Sequence, residues 1–80
     1  MTDYKPISCI DYSLLEESIV LRRELRLGWH DDDGRDHVET VRPVDLQTRA
    51  SEEYLTFLCR NGQSREVRLD RIVRFEAITH

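Results

Sequence analysis

The sequence predicts a mainly β protein with one short N-terminal helix, its strands curling into a small, strongly bent antiparallel barrel or sandwich. Three observations carry that reading. From about residue 19 apolar and polar residues alternate, the period-two signature of half-buried strands. Asp33-Gly34 and Asn61-Gly62 interrupt the alternation as tight turns. The chain has only 80 residues, one domain with a thin core, so a short sheet must curl to bury both Trp29 and Phe57.

The elements follow in order. Residues 9–18 read as a helix, with capping-box spacing at Ser8 and Asp11 and again at Ser13 and Glu16. So short a helix must pack on something to form. On a wheel of about 100° per residue, Ile10, Leu14 and more loosely Leu15 share one side. Tyr12, Ser13, Glu16 and Glu17 fall on the other arc, acidic with one aromatic. From Ile19 the inward row runs Leu21, Leu25, Leu27 and Trp29, with Arg23 the one break. HDDDGR follows as a turn. Residues 36–44 read as a weaker strand, since Val38, Val41 and Val44 do not alternate, and 43–52 as a connection. Residues 53–60 form a strand with Leu55, Phe57 and Cys59 on one face. Residues 64–70 alternate with Val67 and Leu69 inward. A last strand, 71–78, breaks away near Asp70 and Arg71.

Composition narrows the function. The chain holds 16 Asp and Glu against 12 Lys and Arg, a formal charge of −4, which argues against non-specific nucleic-acid binding, since that rests on neutralising phosphates, and suits a partner with a basic surface. The charge is uneven: Asp3, Asp11, Glu16 and Glu17 stand near the start, and Arg60, Arg65, Arg68, Arg71 and Arg74 near the end. No stretch reaches the length of a membrane span, and MTDYKPI lacks the features of a secretion signal. The expected compartment is the cytoplasm, where Cys9 and Cys59 are free thiols.

The chemistry-bearing motifs are sparse. His30, His37 and His80 form no short ligand spacing with either cysteine, so no metal is expected. DDDG has its glycine too early for a calcium loop. No phosphate-cradling glycine loop is present, and no cofactor is expected. Cys9 has no histidine near it in sequence; with Ile7 and Ile10 it reads as an apolar clasp under the helix. Cys59 reads as core. In REVRLDR the outward residues Glu66, Arg68 and Asp70 alternate in sign, as a solvated face does. Three functions remain open: a protein-binding module using the acidic helix arc, an RNA-binding protein using the arginines of 60–74, and a small redox or metal protein using Cys9.

The sequence resembles the Rof family of Rho-binding antiterminators. The residues that carry the resemblance are Tyr4-x-Pro6-Ile7-x-Cys9-x-Asp11-Tyr12, then Glu53-Tyr54-Leu55, then Arg65-Glu66-Val67-Arg68-Leu69-Asp70-Arg71-Ile72, together spanning the chain from Tyr4 to about Phe75. The resemblance implies an Sm-like, strongly bent antiparallel β-barrel carrying an N-terminal helix. It implies a monomer that catalyses nothing and binds the N-terminal primary RNA-binding domain of the transcription termination factor Rho, keeping nascent RNA out. Direct nucleic-acid binding is not part of that role. Carried residue by residue, it implies contacts from Asp11, Tyr12, Ser13, Glu16 and Glu17, and from Arg49 in a loop at Thr48 to Ser51. The chain departs from the family pattern after the helix tyrosine, where an acidic residue is usual: Ser13 stands there, then Leu14, with Glu17 one turn on. The alternative is an Sm-like RNA-binding protein using its arginine-rich C-terminal strands.

Overall fold

The Ser8 hydroxyl accepts a hydrogen bond from the Asp11 amide at 3.1 Å, which satisfies one of the free amides of a helix start. Of the two capping sites in the sequence, this one begins the helix. The computed structural model describes residues 7–78, so Tyr4 and Pro6 of the first motif lie outside the described residues. Helix α1 runs Cys9–Val20. The strands are β1 Leu25–His30, β2 Asp36–Arg49, β3 Glu52–Cys59, β4 Ser64–Arg68 and β5 Ile72–Ala77, with a 3-10 turn at Leu69–Arg71 between the last two.

The helix is longer than its sequence reading. It closes with the Arg23 amide donating to the Ser18 carbonyl at 2.9 Å and the Arg22 amide to that of Ile19 at 3.2 Å. Arg22 takes the left-handed conformation, φ 55°, that such an ending requires and that glycine adopts more easily. Ile19 and Leu21 therefore belong to the helix end, not to a strand, and Leu21 is exposed.

The five strands form one antiparallel sheet in the order β4-β3-β2-β1-β5. β4 and β5 are its edges and do not pair with each other, so the sheet is open rather than a closed barrel. β2 is the main correction. It continues through Pro43 to Arg49, where the sequence suggested a connection, because its register with β3 shifts between Pro43 and Asp45. That bulge inserts Val44 and resets the alternation beyond it, so that Leu46 packs against the core; Val38 and Val44 are simply outward and exposed, and Val41 is the inward one. The β2–β3 turn is two residues, Ala50 and Ser51, both left-handed at φ 51° and 66°, the geometry that matches strand twist in a tight hairpin.

One core joins Leu25, Leu27, Trp29, Val41, Leu55, Phe57, Cys59, Val67 and Leu69 with Leu15 from the helix. Each wholly buried leucine or phenylalanine contributes roughly 1.5–3 kcal/mol. The inward rows expected in β1, β3 and β4 are those observed, and Cys59 is core. Trp29 stacks on His37 with ring centroids 5.0 Å apart and meets Phe57 edge-on at 5.2 Å. In the 31–35 turn the Asp31 carboxylate accepts from the Asp33 and Arg35 amides, both at 3.0 Å, and pairs with His37 at 2.6 Å. No described helix is long and apolar enough to cross a membrane.

Candidate functional site

Helix α1 lies against β2 and buries a different side from the one the wheel suggested. Leu15 and Ser18 are buried, with Tyr12 and Ile19 half-buried against the core. Ser18 spends its hydroxyl on the Leu14 carbonyl at 2.9 Å. Ile10 is 75% exposed and Leu14 46%, so both point away from the core. The physical reason is that apolar residues occur all round this helix and the sheet had to choose among them. Cys9 is exposed, so it is no apolar plug, and the clasp shrinks to Ile7, which does pack against the core.

The predicted contact residues divide accordingly. Ser13, Glu16 and Glu17 are exposed on the outward side. Glu17 meets Arg23 at 3.6 Å; Glu16 pairs with no cation among the described residues. Tyr12 lies on the shoulder between sheet and solvent. Burial pushes its phenol above the ordinary value, and the carboxylates of Glu53 and Glu16 push it further the same way. Glu53, from the start of β3, thus joins the helix acids around Tyr12. The wheel could not include it, but the strand pattern could have: Glu53 is the acidic end of the inward row that continues through Leu55 and Phe57. Asp11 is set apart, bordering a cleft between Ile7 and the β5 residues Ile72–Phe75.

Arg49 is not brought to this surface. It ends β2 and stands opposite Glu52, on the hairpin face away from Glu53. There its guanidinium lies 4.3 Å above the Tyr54 ring and bonds to Glu66. The arginines of β4 and the following turn are likewise engaged. Arg68 holds Glu52 at 3.3 Å and Asp70 at 2.6 Å, Arg65 reaches Glu39 at 3.5 Å, and Arg71 bonds to Asp32. The Tyr54 hydroxyl donates to Glu52 at 2.8 Å, which raises its phenol along with burial.

Among the described residues, no three His, Cys, Asp or Glu side chains gather as metal ligands would. Burial raises the Cys59 thiol, the opposite of nucleophile activation. The helix surface offers carboxylates, a hydroxyl and exposed aliphatic side chains, which are groups for binding another macromolecule.

No protein-family model matches the chain, and no curated protein does. Among solved structures it is similar to proteasome accessory factor B/C (PafBC) of Arthrobacter aurescens, at 22% identity and a TM-score of 0.76, covering 91% of this chain and 12% of that one. The chain therefore spans about an eighth of that protein's length, and the likeness is one of fold.

Proposed function

We propose that this protein inhibits Rho-dependent transcription termination by docking α1 on the N-terminal RNA-binding domain of Rho and blocking RNA access. The observation that supports this reading most is the pair of carboxylates Glu16 and Glu53 around Tyr12, neither of which meets a cation among the described residues, with Glu17 exposed on the same helix and only loosely in contact with Arg23. A site built for RNA phosphates is basic, and carboxylates held on a helix compete for the same lysines and arginines. In this reading Glu16, Glu17 and Tyr12 make the first contacts, Ser13 lies between them, and Asp11 and Arg49 stand at the margins. The fold is taken as an open member of the Sm-like class. The protein acts as a cytoplasmic monomer without cofactor or catalysis, in a regulatory role.

The test is titration into Rho from the same organism at low and high salt, with and without a cytidine-rich oligonucleotide. The expected result is binding that weakens with salt, that the oligonucleotide displaces, and that Glu16→Lys with Glu17→Lys abolishes while circular dichroism stays unchanged. Full binding by that folded double variant overturns the reading.

A further inference from the structure

Of the arginines the sequence made conspicuous, Arg60, Arg65, Arg68 and Arg71 are paired; Arg74 and several less conspicuous ones are not. Among the described residues Arg22, Arg26, Arg42 and Arg74 have no carboxylate partner and are exposed, as is Arg35, which stands apart in the 31–35 turn. The fold gathers the first four. Arg22 and Arg42 border one hollow beside Ile19 and Pro43 and a second one with Arg60. Arg60 and Arg26 border a third, over Val38 and Thr40. Arg26 stands opposite Thr40 in the β1–β2 register, so it shares a sheet face with Arg42 two residues along β2. Arg74 pairs with Gly28, and its stem lies over that glycine, its Cγ 3.6 Å from where a Cβ would stand. Carboxylates near this face are few. Glu24 holds Arg60 at 3.2 and 3.3 Å, Glu39 is drawn to Arg65, and Glu76, opposite Arg26 in register, makes no ion pair with it.

We infer that this outer face of β1, β2 and β5, with Arg22 at its margin, binds the phosphate backbone of single-stranded nucleic acid. The face presents guanidinium groups on adjacent strands, Arg42 and Arg74 each diagonal to Arg26 in register and so about 7–8 Å from it at the backbone, which suits a row of phosphates. Among the described residues it carries no Phe, Tyr or Trp ring on which bases could stack, and its one imidazole, His30, is held by Asp36, so it reads backbone and not sequence. Arg22 adds a physical argument: a glycine would avoid the 1–2 kcal/mol or so of its left-handed conformation, yet the position carries a cation. Binding by a local patch that reads backbone alone belongs to the non-specific range, roughly 10⁻⁴ to 10⁻⁶ M at physiological salt, and it acts against the whole chain's formal charge of −4. The inference is independent of Rho binding, since it uses a different surface.

The experiment measures fluorescence anisotropy of a labelled single-stranded RNA against the full chain over a range of salt, with no Rho present. Wild type is expected to bind with log affinity falling linearly in log salt. Arg26→Gln with Arg42→Gln should flatten that slope by about 1.4, or about 0.7 for each arginine. Arg22→Gly, which relieves strain and so keeps the fold, should flatten it by about 0.7. Arg65→Gln with Arg71→Gln should leave it unchanged. No binding by wild type overturns the inference. So does an unchanged slope in Arg22→Gly, an equal loss in the Arg65 and Arg71 variant, or competition by poly-glutamate as strong as by unlabelled RNA, which would assign the face to a carboxylate-bearing partner.

Discussion

Helix α1 and the β3–β4 edge are both rich in charge, and they use it in opposite ways. At the edge, Arg68 sits between Glu52 and Asp70 with its side chain 16% exposed, Tyr54 bonds to Glu52, and Arg49 bonds to Glu66. On the helix, Glu16 and Asp11 meet no cation among the described residues, and Glu17 has only a loose contact with Arg23. Charge that is paired and partly desolvated holds structure together, whereas charge left in water is available to a partner. A high local density of arginine is therefore a poor guide to a binding surface; the state of pairing is the better one.

The sharpest way to test that contrast is to detach the helix. Leu15→Ala removes its one wholly buried apolar side chain and should cost about 3 kcal/mol in urea denaturation, while its neighbour Leu14→Ala should stay within about 0.5 kcal/mol. Equal costs would mean the helix docks on another face. Next comes the network itself. Arg68→Met removes the guanidinium that bonds both Glu52 and Asp70 and should cost about 2 kcal/mol, against about 0.5 kcal/mol or less for Glu17→Gln; similar values would erase the distinction between the two regions.

A smaller effect is expected from the 31–35 turn. Its hydrogen bond to His37 and those from the Arg35 and Asp33 amides hold the Asp31 carboxyl below its ordinary 3.8. A depressed folded value means that the stabilisation is present above 3.8 and is lost as pH falls through the lower folded value. Asp31→Asn should therefore flatten the acid limb of stability against pH below 3.8, and an unaltered limb would show that the turn adds nothing. The mildest probe is thiol labelling. Cys9 is exposed and Cys59 buried, so one thiol should react at once and the second only on unfolding.

Much of the fold was legible because alternation is local. Leu25, Leu27 and Trp29, then Leu55, Phe57 and Cys59, each declare an inward row without reference to the rest of the chain. The same logic failed in β2, where one inserted residue at the Pro43–Asp45 bulge shifts the phase, and pairing with β3 decides what local pattern cannot. It failed on the helix for a different reason. Ile10, Leu14 and Leu15 are all apolar, and only contact with β2 shows that Leu15 turns inward while the other two face water. Site residues shared that fate: Ser13, Glu16 and Glu17 are outward as read, Tyr12 is turned partly under the helix, and Glu53 enters only because the sheet brings the start of β3 beside it. The exposed arginine face depends wholly on tertiary pairing, since no spacing in the sequence says which guanidinium finds a carboxylate.

The open sheet has a further consequence, for how much of this protein a cell can hold. Two unpaired strand edges are templates on which further chains could stack into fibrous aggregates. Here β4 is a mere five residues, Ser64–Arg68, with two arginines and a glutamate among them, and β5 breaks its apolar run with Arg74 and Glu76. Charges recurring along both borders make edge-to-edge stacking unfavourable, so crowding and high expression should be tolerated without closing the barrel.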